Sequence, residues 1–361
     1  MRIPILLLAV IGLISACSSP EEAGGGTADA PTRRLVVRDS IGVEMGDSLY
    51  QLGRIDAMCH GPSGEILVLD GSQNRVARYS GNGAFLNWIG REGEGPGELT
   101  HPAGMTLLTD GSLAIADLAQ GRICMLDQEG DPVGSYSGFV PFPPARIRAS
   151  SLGVVGARRE FDREANTYGF IVALWDSQGS PSRVYHSRLT DFNRDNVQQT
   201  VNATALSFAA SSRDGRVYVA PMSTEDYRVL IYAADGRFEG EISMDRAPVP
   251  RPPEEIQREE EEMNRQLRRE GAPPDMQWEA RELEYQIGGL WVGPENRLWV
   301  LDGTSPDPLF RIYSPRGEEL FECGVDAPGA SGWSFRIDRG GFLATQEDPL
   351  DFPRVYILSL E

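Results

Sequence analysis

The feature that most constrains this chain is a repeat. Ser63-Gly64-Glu65-Ile66-Leu67-Val68-Leu69-Asp70, a short loop, Arg75-Val76-Ala77-Arg78-Tyr79, a turn at residues 81–83 and the segment 85–89 make one copy. Asp110-Gly111-Ser112-Leu113-Ala114-Ile115-Ala116-Asp117, a short loop, Arg122-Ile123-Cys124-Met125-Leu126 and a turn at Gly130 make the next, with the Gly-rich stretch 90–102 as the seam. The residue that opens the second strand of each copy recurs as Gly64, Gly111, Gly153, Gly215, Asn296 and Gly340, which implies six units. A second series agrees with it: an Arg followed by Val or Ile opens the next strand at Arg75, Arg122, Arg228, Arg311 and Arg354. Arg183-Val184 is the sixth candidate, 30 residues after Gly153, and makes the third unit irregular. Self-similarity at this period is the signature of a stacked architecture whose single unit cannot bury its own apolar faces.

Each unit holds four short alternating segments. In the second they are 104–108, 113–117, 122–126 and 133–137. With 40 Gly and 25 Pro, long helices cannot dominate, and short strands between turns are the natural solution. Four-stranded sheets of this length hide both faces only by packing radially on their neighbours, so the expected fold is all-β, a six-bladed β-propeller of four-stranded blades. The linker GEGPGELTHPAGM at 93–105, with the following Ile115-Ala116-Asp117 and Arg122-Ile123, resembles the NHL repeat and the bacterial lipoproteins described as six-bladed β-propeller proteins. That resemblance covers nearly the whole chain after residue 32 and is weakest in the third and sixth units. It implies a fold; the superfamily includes protein-binding scaffolds as well as lyases and lactonases. Segment 35–38 is strand-like and is expected to pair into the last blade, closing the ring.

The N-terminus reads as an address. Arg2 followed by the apolar run 3–14 is a signal too short to span a bilayer. It ends in Ile14-Ser15-Ala16-Cys17, which resembles a bacterial lipoprotein signal, with Cys17 lipidated after removal of residues 1–16. Ser18 in the next position resembles the choice that sorts such proteins to the outer membrane. Residues 17–32 are mostly Ser, Pro, Glu, Gly and Ala and form a flexible tether; residues 33–361 are the repeat domain. The expected location is therefore the cell envelope, lipid-anchored. A net charge of -19 argues against nucleic acid as a partner. Cys59, Cys124 and Cys323 remain; the reading is buried small residues, with a Cys59 to Cys124 bridge as the alternative.

Between the fourth and fifth units, residues 252–289 carry the one helical signature. Prolines and acids precede it, Arg268 and Arg269 close it, and Gly271, Pro273 and Pro274 stop it. Ile256, Met263 and Leu267 make a narrow apolar stripe, fit to cover one face of the propeller or to act as a lid.

Several constellations were weighed for chemistry. Of His60, His101 and His186, the first two fall at different depths when Gly64 is aligned with Gly111, which argues against a three-histidine zinc site. Residues 191–196 place oxygen ligands at the first, third and fifth positions of a calcium loop but lack its Gly and Glu. Glu94 and Glu98 disfavour phosphate at the Gly-rich seam, and Tyr136 stands where a hydrolase elbow needs Ser. Arg75, Arg122, Arg228, Arg311 and Arg354 remain as candidate ligand-binding residues, either paired with the Asp that ends the preceding strand or free to meet an anion. The expected function is a non-catalytic binding or scaffold module for an envelope protein or small ligand, with no cofactor. The competing class is a lactonase-like or lyase-like enzyme using a channel-bound divalent metal, for which Asp70, Asp117 and Asp302 are the candidate ligands.

Overall fold

A computed structural model of the chain describes residues 33–192, 197–269, 271–272, 277–346 and 352–361. The signal, the tether with Cys17 and residues 193–196 of the calcium-like loop lie outside the described residues.

The chain opens with β1 (Arg33–Ile41). A four-stranded sheet follows, β2 (Ile55–His60), β3 (Ile66–Asp70), β4 (Arg75–Tyr79) and β5 (Phe85–Ile89). The seam contributes a small parallel pair, β6 (Arg91–Glu92) and β7 (Glu98–Leu99). The second sheet is β8 (Pro102–Leu107), β9 (Leu113–Asp117), β10 (Arg122–Leu126) and β11 (Pro132–Tyr136), within two residues of expectation at every boundary. The third is β12 (Arg146–Ser150), β13 (Gly153–Asp162), β14 (Thr167–Trp175) and β15 (Pro181–Asp191), followed by α1 (Val197–Thr204). The fourth is β16 (Leu206–Ala210), β17 (Val217–Pro221), β18 (Tyr227–Tyr232) and β19 (Phe238–Met244), and then comes α2 (Pro253–Arg269). The last strands are β20 (Ile287–Val292), β21 (Leu298–Asp302), β22 (Leu309–Tyr313), β23 (Glu319–Asp326), β24 (Trp333–Asp338), β25 (Gly341–Gln346) and β26 (Val355–Leu360). Among the described residues no helix is long and apolar enough to cross a membrane.

The sheet count differs from expectation. The expectation is six separate blades, whereas the described residues form, besides the small β6–β7 pair, four four-stranded sheets and one of eight strands, ordered β20-β21-β22-β23-β1-β26-β25-β24. The cause is β1, which lies antiparallel to β26 and also pairs in parallel with β23, from Arg33 opposite Cys323 to Val36 opposite Asp326. One strand thereby joins two antiparallel halves at their outer edges.

Alternation along the second strand of each sheet explains the packing. In β3, Leu67 and Leu69 enter a core shared with Ile115 and Cys124, whereas Ile66 and Val68 enter one shared with Leu343 and Val355. In β17, Val217 and Val219 face the third sheet while Tyr218 and Ala220 face the fifth. A strand buried on both faces must be apolar at every position, and β3 is buried throughout. The first strands β2, β8, β12, β16, β20 and β24 touch in succession, and β24 returns to β2. The arrangement is propeller-like, with a central channel bounded by these strands.

The third sheet is irregular because β13, β14 and β15 run to 9–11 residues, and Arg183 lies in its fourth strand, not its third. Cys59, Cys124 and Cys323 are free and buried; Cys59 and Cys124 share one core without bridging.

The helix of the insertion forms as expected and buries Met263 of the expected stripe, but its buried face is turned part-way from that stripe. Glu255, Glu259 and Met263 are its buried residues, while Ile256 and Leu267 are only half-covered. Arg251 provides the reason: its guanidinium lies 2.8 Å from Glu259, and the Trp278 indole N–H donates to the same carboxylate at 2.9 Å. A charge-assisted network therefore docks α2 where an apolar stripe was expected.

Candidate functional site

The two ends of the channel differ. At one end, the first strand of each sheet turns into the second; at the other, the second turns into the third. The insertion lies at the latter end, because it follows β19 and leads into the start of β20.

The Arg series sits at the insertion end and does not converge. Arg75 stacks over Trp88 at 3.5 Å and donates to Gln73. Arg122 donates to the carbonyls of Gly95 and Glu98, tying down the seam. Arg228 is exposed and pairs with Glu241 at 2.7 Å. Arg311 pairs with Glu322 at 2.5 Å, and Arg354 lies over Phe352 at 4.2 Å. Of the aspartates that end the second strands, Asp70 and Asp117 serve backbone, whereas Asp302 lies 4.0 Å from Arg311, the one expected Asp–Arg pair that approaches. Asp70 accepts from the N–H groups of Gly53, Arg54 and Ser72, and Asp117 from those of Thr100, His101 and Gln120. Asp302 accepts from Thr304 and pairs with Arg246 at 2.8 Å. These carboxylates do not fit a shared metal, and among the described residues no three His, Cys, Asp or Glu side chains group as metal ligands.

At the other end, the last residues of the six first strands and their turns line a cavity of about 290 Å³. Its charged members are Arg148 of β12 and Arg336 of β24, with the exposed Arg213 and Arg339 at the rim; its acids are Asp338 and Glu295. Both acids are engaged. Asp338 accepts from the His60 backbone N–H at 3.1 Å and lies 2.8 Å from His60 Nδ1, and Glu295 pairs with Arg297. Burial works against the Asp338 carboxylate, yet His60 and then Arg336 hold its pKa below the usual range.

The arginines are less satisfied. Arg148 donates Nη1 to the Ile147 carbonyl at 3.0 Å, and Arg336 donates Nη2 to Thr106 Oγ1 at 3.4 Å. Thr106 Oγ1 also accepts from the N–H of Ala149 at 3.1 Å, so one hydroxyl links the strands that carry the two guanidinium groups. The Nε atoms of both arginines are buried with no hydrogen-bond partner among the described residues. Arg336 approaches Asp338 only to 3.7 Å, and no carboxylate pairs with Arg148 among the described residues. Burial first, then the neighbouring charges of Arg336 and Arg146, push the Arg148 pKa well below the ordinary arginine value. Trp291 lines the same wall.

These residues were not singled out from the sequence. The signal was present: Arg148-Ala149-Ser150 and Arg336-Ile337-Asp338 stand at one register, because Ser150 opposes Gly153 and Asp338 opposes Gly341 across equivalent hairpins. Reading Gly340 as the opening residue displaced the sixth unit by one position.

No family model matches the chain, and no curated protein matches it. Among solved structures it is similar to a protein of Bacteroides fragilis named as exported, at 13% identity and a TM-score of 0.50, covering 92% of this chain and 98% of that one. It is similar also to a member of the DUF4221 family from Bacteroides vulgatus, at 9% identity and 0.51, covering 91% and 98%. A gluconolactonase of Xanthomonas campestris stands further off, at 14% identity and 0.45, covering 90% and 98%. At these identities the first two likenesses concern the fold alone.

Proposed function

We propose that this chain is a six-bladed propeller, with the eight-stranded sheet counted as two blades joined by β1, held at the cell envelope by lipid on Cys17 and sorted to the outer membrane. It works as a non-catalytic binding module that takes a small ligand into the channel mouth. One observation carries this reading: a cavity lined by the ends of all six first strands is bordered by Arg148 and Arg336, whose buried Nε atoms have no hydrogen-bond partner among the described residues. The metal-dependent lyase or lactonase reading needs carboxylates converging on the axis. Asp70 and Asp117 are committed to backbone donors and Asp302 to Thr304 and Arg246, all at the insertion end, so the binding reading is preferred.

Trp291 supplies the test. A panel of neutral and charged small molecules is titrated into the full chain while tryptophan fluorescence is followed. A saturable change that disappears in Trp291→Phe supports binding in the channel. If no compound produces a Trp291-dependent change, the reading is overturned; hydrolysis or elimination of a bound compound would move the protein to the enzyme class.

A further inference from the structure

The channel mouth is positively charged in a protein whose net charge is -19. Arg148 and Arg336 line it, each with a buried Nε that has no hydrogen-bond partner among the described residues; the only carboxylate near Arg336 is Asp338 at 3.7 Å, Arg213 and Arg339 stand exposed at its rim, and Asp338 and Glu295 are already engaged by His60 and Arg297. One carboxylate, Asp338, stands among the guanidinium groups of Arg148 and Arg336 and is shared with His60, which leaves positive charge at the mouth uncompensated. Each buried donor left unmade weakens the folded state, and like charges add repulsion. The same arrangement is favourable once an anion arrives, because a guanidinium edge offers two parallel N–H groups that match two oxygens of one carboxylate or phosphate.

We infer that the ligand of the channel mouth is a small oxyanion, a carboxylate or phosphate group held between Arg148 and Arg336 with Thr106 as an auxiliary hydroxyl. This rests on the channel reading above and names its ligand class. The cavity suits a metabolite-sized molecule, and a polymer could enter only by its end. Arg213 and Arg339, outside the pair, draw the anion through the field of an otherwise acidic surface. The hydroxyl of Thr106 accepts from Ala149 and Arg336, which leaves its own proton available to the ligand.

The experiment is calorimetric titration of the full chain with inorganic phosphate and with malonate, in a buffer free of other oxyanions. Tighter binding of one probe identifies the source of the oxyanion. Loss of a charge-assisted pair is expected to weaken binding at least tenfold in Arg148→Met and in Arg336→Gln, with Arg336→Lys intermediate because it keeps charge but not the fork. Arg228→Gln, at the far end of the molecule, should bind as the parent does. Equal weakening in Arg228→Gln, or unchanged affinity in both Arg148→Met and Arg336→Gln, marks diffuse ion association and overturns the inference. So does the absence of heat with either anion at millimolar concentration. In that event the neutral compounds of the Trp291 assay decide separately: a neutral ligand that changes Trp291 independently of both arginines leaves the channel reading standing and removes only the oxyanion. Where Arg336→Gln alone fails to fold, Arg148→Met with the Trp291 signal as readout gives the same decision.

Discussion

Arg148→Met is expected to make the protein more stable while removing its ligand. The guanidinium makes one hydrogen bond, to the Ile147 carbonyl, worth about 1 kcal/mol. It also lies 5.6 Å from the Phe208 ring, a contact worth at most about 1 kcal/mol. Against these stand the desolvation of the charge, several kcal/mol for a buried ion, and repulsion from Arg336 and Arg146, which attraction to Asp338 offsets only in part. Met retains much of the stem and packs adaptably, so the cavity left behind is small. The balance is a gain of about 1–3 kcal/mol. At roughly 1.5 °C per kcal/mol for a cooperative unit of about 330 residues, calorimetry should show a rise of about 2–4 °C. Parent and variant should converge when a saturating anion is added, because only the parent is stabilised by it. A fall of about 2 °C or more in the anion-free variant would refute the reasoning, since Arg148 would then hold the fold and its unpartnered edge would carry no functional meaning.

Asp117→Asn replaces an acceptor of three backbone N–H groups and should lower stability by about 2–4 kcal/mol in urea unfolding, without a change in bound metal by elemental analysis. Leu35→Ala should cost about 3 kcal/mol, because Leu35 is fully buried where β1 joins the two halves of the large sheet; a loss under about 1 kcal/mol would show that the junction is dispensable. Burial, reinforced by mutual repulsion, raises the pKa of Glu255, and burial raises that of Glu284. Their ionised forms therefore weaken the docked insertion above the folded pKa values, and the penalty is relieved as pH falls toward the unfolded value of 4.5. Hydrogen exchange of α2, compared at matched chemical exchange rates, should be slower near pH 5 than near pH 8. Asp338 has a lowered pKa, so its contribution is lost only below the ordinary carboxylate range and does not vary across that window. Burial pushes the Cys59 and Cys323 thiols up to about 12, so a thiol reagent at neutral pH should label them only after unfolding.

The strand pattern was legible because both faces of each second strand are apolar and turns punctuate every unit. Segments such as 113–117 and 122–126 are bounded correctly by an opening Gly and a closing Asp. The junction at β1 was half legible. Its pairing with β26 follows from the strand-like residues near Leu35, whereas its parallel contact with β23 depends on how closely two outer edges approach, which no local pattern encodes. The face of α2 was half legible: Met263 of the apolar stripe is buried, whereas the ion pair between Arg251, outside the helix, and Glu259 turns Glu255 and Glu259 inward ahead of Ile256 and Leu267. The Arg series was visible by its period, yet its register serves loops. Arg148 and Arg336 were hidden by a one-residue offset between Gly340 and Gly341, a difference set by hairpin geometry at a left-handed backbone position.

The polarity of β1 also fixes how an anchored molecule would hang. Leu35 opposes Leu360 and Ile41 opposes Val355, so β1 begins at the end of the propeller where β24 turns into β25, which is the end that carries the arginine-lined mouth. A chain tethered through Cys17 thus leaves the body beside the mouth, with the insertion turned outward. Under the anchor proposed at Cys17, it is the arginine-lined opening, and not the insertion, that would be turned toward the bilayer.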